Sequence, residues 1–143
     1  MSLISIRSDL ATLTINNETI TDFISGDYLT LEPENEASQQ TYAAGGAMTI
    51  SKHIASDVTT VSIPLLRYSD SDMFLQNLLN QKEIQVMNGS VKETFEKDGK
   101  EMIATYELLN GTFTTRPTYT HNNEDGNSEV TYTIKFRSMT RTM

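Results

Sequence analysis

The sequence predicts a mainly β domain with one flanking α-helix, and three observations predict it. Several segments alternate apolar and polar residues at period two, as half-buried strands do. Twenty of the 143 residues are threonine, whose β-branched side chain suits a pleated surface. One stretch only, around Phe74–Leu79, carries the spacing of an amphipathic helix.

The elements follow in chain order. Leu13 and Ile15 alternate with threonines, Asn16-Asn17 turns the chain, and Thr19 to Thr21 starts a return strand, which makes a short hairpin. Tyr28 to Leu31 is the next strand. From Glu32 to Gly46 the chain is polar, with Pro33 and the pair Gly45-Gly46. A long loop and a protruding hairpin compete here. The unbroken β-type text after Gly46 favours the hairpin, with arms near Gln39–Ala43 and Ala47–His53, so that residues 32–57 form an arm. Val61, Ile63 and Leu65 share one buried face, and Pro64, which has no N–H to donate, belongs at an edge or a strand end.

Phe74, Leu75, Leu78 and Leu79 form one apolar stripe, so a helix is expected over residues 70–82. Ser69, three residues before Asp72, is its N-cap, the acids Asp70 and Asp72 suit its first turn, and Lys82 suits its end. The rest reads as a meander. Asn88-Gly89, Asp98-Gly99 and Asn110-Gly111 are dipeptides that allow the positive φ of tight turns. Between them lie strands at Val91–Glu96 and Met102–Leu108, the latter with Met102, Ala104, Tyr106 and Leu108 on one face. Phe113, Thr115, Pro117 and Tyr119 continue the alternation. In the last strand Val130, Tyr132, Ile134 and Phe136 face in, while Glu129, Thr131, Thr133, Lys135 and Arg137 face out. The tail from Ser138 is too short and polar to pack alone.

The length is that of a single domain, residues 1–143, able to bury roughly two-thirds of its unfolded surface. There is no cysteine, which excludes disulfides and thiolate metal sites. The N-terminal residues lack the pattern of a signal peptide, and no apolar run approaches about 20 residues. The expectation is therefore a chain made and kept in the cytoplasm, with no membrane partner, unless an assembly carries it out. A net charge of −8 argues against general binding of nucleic acid, which needs clustered Lys and Arg.

No arrangement of residues calls for chemistry. His53 and His121 lie far apart without partners at metal-ligand spacing. Ser69-Asp70-Ser71-Asp72 resembles a serine beside carboxylates, but a helix cap explains it with no missing partner. Asn123 to Asn127 is rich in oxygen ligands without the spacing of a calcium loop, and a hairpin loop uses the same residues. Gly45-Gly46 is followed by neither a helix nor Lys-Ser/Thr, so it is no phosphate loop. Catalysis, metals and cofactors are not expected.

What stands out is charge. Between Arg7 and Lys52 there is no lysine or arginine over 44 residues, against seven acids: Asp9, Glu18, Asp22, Asp27, Glu32, Glu34 and Glu36. From Asn127 onward the balance reverses, with Glu129 against Lys135, Arg137 and Arg141. Scattered acids serve solubility, yet a subunit negative early and positive late also suits head-to-tail contact with copies of itself.

The order of these elements carries a family likeness. I-T-D-F follows the first turn, then G-D-Y-L-T-L-E-P-E-N-E-A, then A-A-G-G-A-M-T-I-S, V-T-T-V-S-I-P-L-L and S-D-S-D-M-F-L-Q-N-L-L. Over about Thr19 to Leu79 this resembles the tail tube protein of contractile-tailed bacteriophages, and more loosely the tube proteins of related contractile injection systems. Two departures are visible: Ala47-Met48-Thr49 stand where the family often has acids, and Asp70 and Asp72 where it commonly has proline and asparagine. The resemblance implies a β-sandwich or small β-barrel with one flanking helix. It further implies six copies in a ring, rings stacked into a tube with a continuous β-barrel wall, and double-stranded DNA passing through without specific binding. Sheath and baseplate or tail-terminator proteins are the implied partners, and a virion tail the implied location. On this reading Asp27, Glu32 and Glu34 are candidate lumen acids, Gln39, Tyr42, Gly45, Gly46 and Met48 belong to an inter-subunit arm, and Arg137 and Arg141 supply C-terminal contacts. An isolated β-sandwich module binding carbohydrate or another ligand is the alternative; it would need a cluster of exposed aromatics, whereas Tyr42 and Tyr68 stand alone in the sequence.

Overall fold

The computed structural model describes residues 3–6, 11–23, 29–52, 57–119 and 129–143. In chain order its elements are β1 (Ile4–Ile6), β2 (Thr12–Ile15), β3 (Glu18–Ile20), β4 (Thr30–Pro33), β5 (Ser38–Tyr42) and β6 (Met48–Lys52). These are followed by β7 (Thr59–Leu66), α1 (Asp70–Leu79), β8 (Met87–Lys97), β9 (Lys100–Thr115) and β10 (Glu129–Thr142). Eight strands form one antiparallel sheet in the order β3-β2-β8-β9-β10-β7-β4, with β1 added to the far end of β8. The remaining two, β5 and β6, pair only with each other.

The sheet curls until its ends meet at one corner. After β3, at one end of the strand order, the chain passes directly to β7 near the other end. There Leu66 donates its N–H to the Asp22 carbonyl at 2.9 Å, and Phe23 bridges to Leu65. Alternation along each strand turns one set of side chains into the enclosed space. Leu13, Ile15 and Ile20 enter from one end, Val61, Ile63 and Leu65 from the other, and Val130, Tyr132, Ile134 and Phe136 from the middle. Each of the larger side chains contributes about 1.5–3 kcal/mol by burial. Pro64 lies between the part of β7 that β4 covers, Thr59–Ser62, and the bridge at Leu65, so it interrupts no ladder on that edge.

The helix ends earlier than its 70–82 pattern suggests. Asn80 donates its N–H to the Gln76 carbonyl and terminates α1, leaving Lys82 beyond the last turn. At the other end Ser69 Oγ accepts from the Asp72 N–H at 3.3 Å, as a helix cap should. Leu75 is fully buried, while Phe74, Leu78 and Leu79 pack against the core from the side.

Two of the three expected turn dipeptides are not turns. Asp98-Gly99 does reverse the chain between β8 and β9, but Asn88-Gly89 lies inside β8 and Asn110-Gly111 inside β9. Met87 pairs with Gly111 and Gly89 with Leu108, so one residue of β8 faces two of β9, and the extra residue, Asn110, takes φ 57. The positive φ that suits a turn here makes a bulge. Glycine is required for room as well: a Cβ on Gly111 would lie 2.4 Å from the Phe136 ring, and one on Gly89 2.6 Å from the Thr14 carbonyl oxygen. The asparagines link the strands, Asn110 donating its N–H to Asn88 Oδ1 at 2.9 Å and Asn88 its own to Asn16 Oδ1 at 3.1 Å.

The tail also differs from expectation. Ser138 to Thr142 extend β10, because β9 is long enough for Leu109 to Thr105 to pair with them. At the opposite terminus β1 adds a strand on Phe95–Lys97, where two alternating isoleucines had been too short a signal.

Candidate assembly interface

The arm is an amphipathic hairpin standing off the body. Ser38–Tyr42 pairs with Lys52–Met48, and its tip closes through Ala43 N–H to Ala47 O at 2.7 Å and Gly46 N–H to Ala43 O at 3.0 Å. Gly46 sits at φ 93, where an L side chain would be strained. Gln40 faces Ile50 and Tyr42 faces Met48, so these four share one face, while Gln39, Thr41, Thr49 and Ser51 form the other. Every residue of both strands is exposed, including Tyr42 at 67%, Ile50 at 59% and Met48 at 48%. Among the described elements, β5 and β6 pack chiefly on each other.

The acids proposed for a lumen fall in different settings. Asp27 lies outside the described residues, as do His53, His121 and the loop Asn123–Asn127. Glu32 is exposed on β4 opposite Thr60. Glu34 follows at the root of the hairpin, where its carboxylate meets Lys135 Nζ at 2.8 Å and accepts from Thr60 Oγ1. The Lys135 ammonium, then the Thr60 hydroxyl, hold the Glu34 carboxyl below its ordinary value. Lys135 thus compensates Glu34 within the subunit.

The C-terminal cations lie on β10. Arg137 is exposed, and the Arg141 guanidinium stands 5.6 Å from the centre of the Tyr106 ring, within cation–π range. Arg141 also lines a groove of about 350 Å³, with Ile4 and Ile6 of β1, Phe95 and Lys97 of β8, and Met102 of β9. The groove continues the face that buries Val91 and Leu108 nearer the core, and among the described residues its Ile4, Ile6 and Met102 stay exposed.

One polar cluster was not legible in the sequence. Asp72 is buried in the first turn of α1, where Oδ1 accepts from the Tyr132 hydroxyl at 2.6 Å and Oδ2 from the Tyr68 N–H at 2.7 Å. Gln76 Oε1 accepts from the hydroxyls of both Tyr132 and Tyr119. Burial first, and then the Asp72 carboxylate, push the Tyr132 phenol well above its ordinary value. These bonds tie the helix to β10. Among the described residues, no three His, Asp or Glu side chains converge as a metal site would need.

No protein-family model matches the chain, and no curated protein matches it significantly. Solved structures do. A chain of the PVC sheath–tube complex of an extracellular contractile injection system, in the extended state, superposes with a TM-score of 0.64 at 10% identity, covering 96% of this chain and 90% of that one. A chain of the PVC sheath/tube terminator in the extended state gives 0.65 at 12% identity, covering 96% of each. A chain of the anti-feeding prophage cap, its tube-terminating cap, gives 0.65 at 10% identity, covering 96% and 91%. The agreement extends over nearly the whole length on both sides, so the chain has the fold of these contractile-injection-system chains.

Proposed function

We propose that the chain is a structural subunit of a contractile-system tail, the tail tube protein of a bacteriophage or phage-like particle. In this reading it forms six-membered rings that stack into a hollow tube, and double-stranded DNA passes through the tube during ejection. The single observation that carries the proposal is the likeness over 96% of the chain to chains of tube, terminator and cap assemblies. Two features of the subunit support it. Among the described residues, nothing covers the apolar side chains of the amphipathic hairpin. A sheet with uncovered edges invites strand pairing between copies, which would remove them.

Acidic residues of the first third of the chain, with Glu32 the foremost of the described ones, would line the channel and repel phosphate, so that DNA slides without binding. Sheath, baseplate and terminator proteins are the partners the reading names, and it assigns no catalysis and no cofactor.

Negative-stain microscopy of the purified protein tests it. Rings or hollow tubes of uniform diameter are expected, from the protein alone or once an initiator complex nucleates them, and a closed dimer, or native particles in which the chain sits outside a tube, contradicts the reading. A solved ring with a neutral or positive channel would contradict the part concerning DNA.

A further inference from the structure

We infer that the cavity between the β7–α1 turn and Tyr119 is a binding site for a neutral saccharide. The site lies within a single subunit and goes beyond the ring-forming reading above.

The cavity has a volume of about 440 Å³, inside the roughly 300–1,000 Å³ range of small-molecule sites. Tyr68 and Tyr119 both line it, although they come from distant parts of the chain. Tyr68 stands alone in the sequence, and the fold supplies its aromatic companion. The two residues remain 77% and 48% exposed, so each ring keeps surface for a ligand.

Tyr68 holds that position at a cost. Its φ is 66, which glycine adopts freely and a bulky residue does not. The bond from its N–H to Asp72 Oδ2 at 2.7 Å holds the backbone there. Strained residues persist where their surroundings fix them, and they cluster at ligand sites. Here the strain secures no burial, since the side chain stays outside the core. Its effect is to set an exposed phenol on the wall of the cavity.

Hydrogen bonding divides that wall into a fixed part and a free part. Asp72 and Gln76 are engaged by Tyr68, Tyr119 and Tyr132, and Gln76 Nε2 donates to Asn80 Oδ1 at 2.9 Å. Among the described residues, no bond engages the side-chain amide of Asn77 or the hydroxyl of Tyr68. These groups can both donate and accept. Arg67 and Asp72 bring opposite charges to the wall, so its formal charge is zero and it favours neither an anion nor a cation. A sugar ring fits this combination. Its C–H faces suit the aromatic rings, and its hydroxyls, each a donor and an acceptor, suit the amide and the phenol. A hydrocarbon would leave those polar groups unmatched.

Saturation-transfer difference spectra of the full chain with cellobiose or maltose test the site, because they read weak binding to monomers and assemblies alike. At least one disaccharide should show transfer to its ring protons that saturates with concentration, and glycerol should not compete. Tyr68→Gly should abolish the transfer yet melt at or above the parent temperature, since glycine relieves the positive φ. Asn77→Ala, on the exposed side of α1, should weaken binding several-fold, and Tyr42→Ala on the hairpin should leave it unchanged. No saturable transfer from either sugar would overturn the inference, as would competition by glycerol, which marks an adventitious additive only. Transfer that survives in Tyr68→Gly would place the sugar elsewhere and overturn the site. If glycine loosens the fold instead, Asn77→Ala decides, and an unchanged affinity overturns the assignment. Micrographs of the same protein judge the ring-forming reading separately, so either can fail without the other.

Discussion

Tyr132, near the start of the last strand, donates its hydroxyl to Asp72 in the first turn of the helix at 2.6 Å, although the two residues are 60 apart in the chain. The bond joins the helix to the strand at the centre of the sheet, and both partners are buried. Buried polar groups of this kind are costly when one partner is removed, because the other is left without water and without a bond.

Tyr132→Phe should therefore lower stability by about 1–3 kcal/mol, read as the urea midpoint at neutral pH. It should also change the alkaline limb. The folded pKa of Tyr132 lies above its ordinary value of 10.0, so its contribution is complete below about pH 10 and is lost as the pH rises further, when the unfolded chain ionises first. The parent should lose up to about 1.4 kcal/mol per pH unit from this group in that range, and the phenylalanine variant should lack that component. Equal alkaline slopes would refute the assignment.

Gly111→Ala should destabilise the fold by about 1–3 kcal/mol, since the new methyl would meet the fully buried Phe136 ring. Gly99→Ala has open space around it, so any loss there should reflect only its positive φ of 81. Chemical denaturation of both variants distinguishes crowding from backbone strain.

Ser69→Ala removes the cap of α1 and should cost about 1 kcal/mol, whereas Ser69→Asp should restore most of it by accepting from the same Asp72 N–H. Thermal melts followed by circular dichroism give the comparison.

Deleting Gln39–Ala47 removes most of the hairpin and none of the core, so the subunit should keep its circular dichroism spectrum and a cooperative melt. Ordering the arm costs about 1–2 kcal/mol per residue in backbone entropy, and contact with a neighbouring copy would offset that. Tubes or rings should disappear in electron micrographs of the variant. Normal tubes from the shortened chain would make the arm a surface loop and nothing more.

Elements buried on one side were plain in the sequence: Val130, Tyr132, Ile134 and Phe136 alternate without a break, and all four prove to be core. Ser69 was equally plain, since a cap depends on residues three apart. What could not be read was decided by distant partners. Asn110-Gly111 satisfies a turn and a bulge alike, and only the pairing of Gly111 with Met87 and Phe136 selects the bulge. Ser138–Thr142 has no apolar face of its own and becomes strand because β9 runs beside it. Asp72 had a sufficient local explanation as a first-turn acid, which hid its second role under Tyr132. For the hairpin, the alternation of Met48 and Ile50 with Thr49 and Ser51 showed a one-sided strand, but a single chain carries no mark of the surface that side meets.

The strand order has a consequence for synthesis. Leu13 pairs with Val91, 78 residues later, and Leu31 with Val61, 30 residues later, while β8, β9 and β10 follow one another along the chain. As the polypeptide leaves the ribosome, Leu13, Ile15 and Ile20 emerge first and have no sheet to join until β8 is made. Nascent chains arrested before β8 should expose these side chains and bind chaperones, and release should come only when the C-terminal meander provides the edge on which they close.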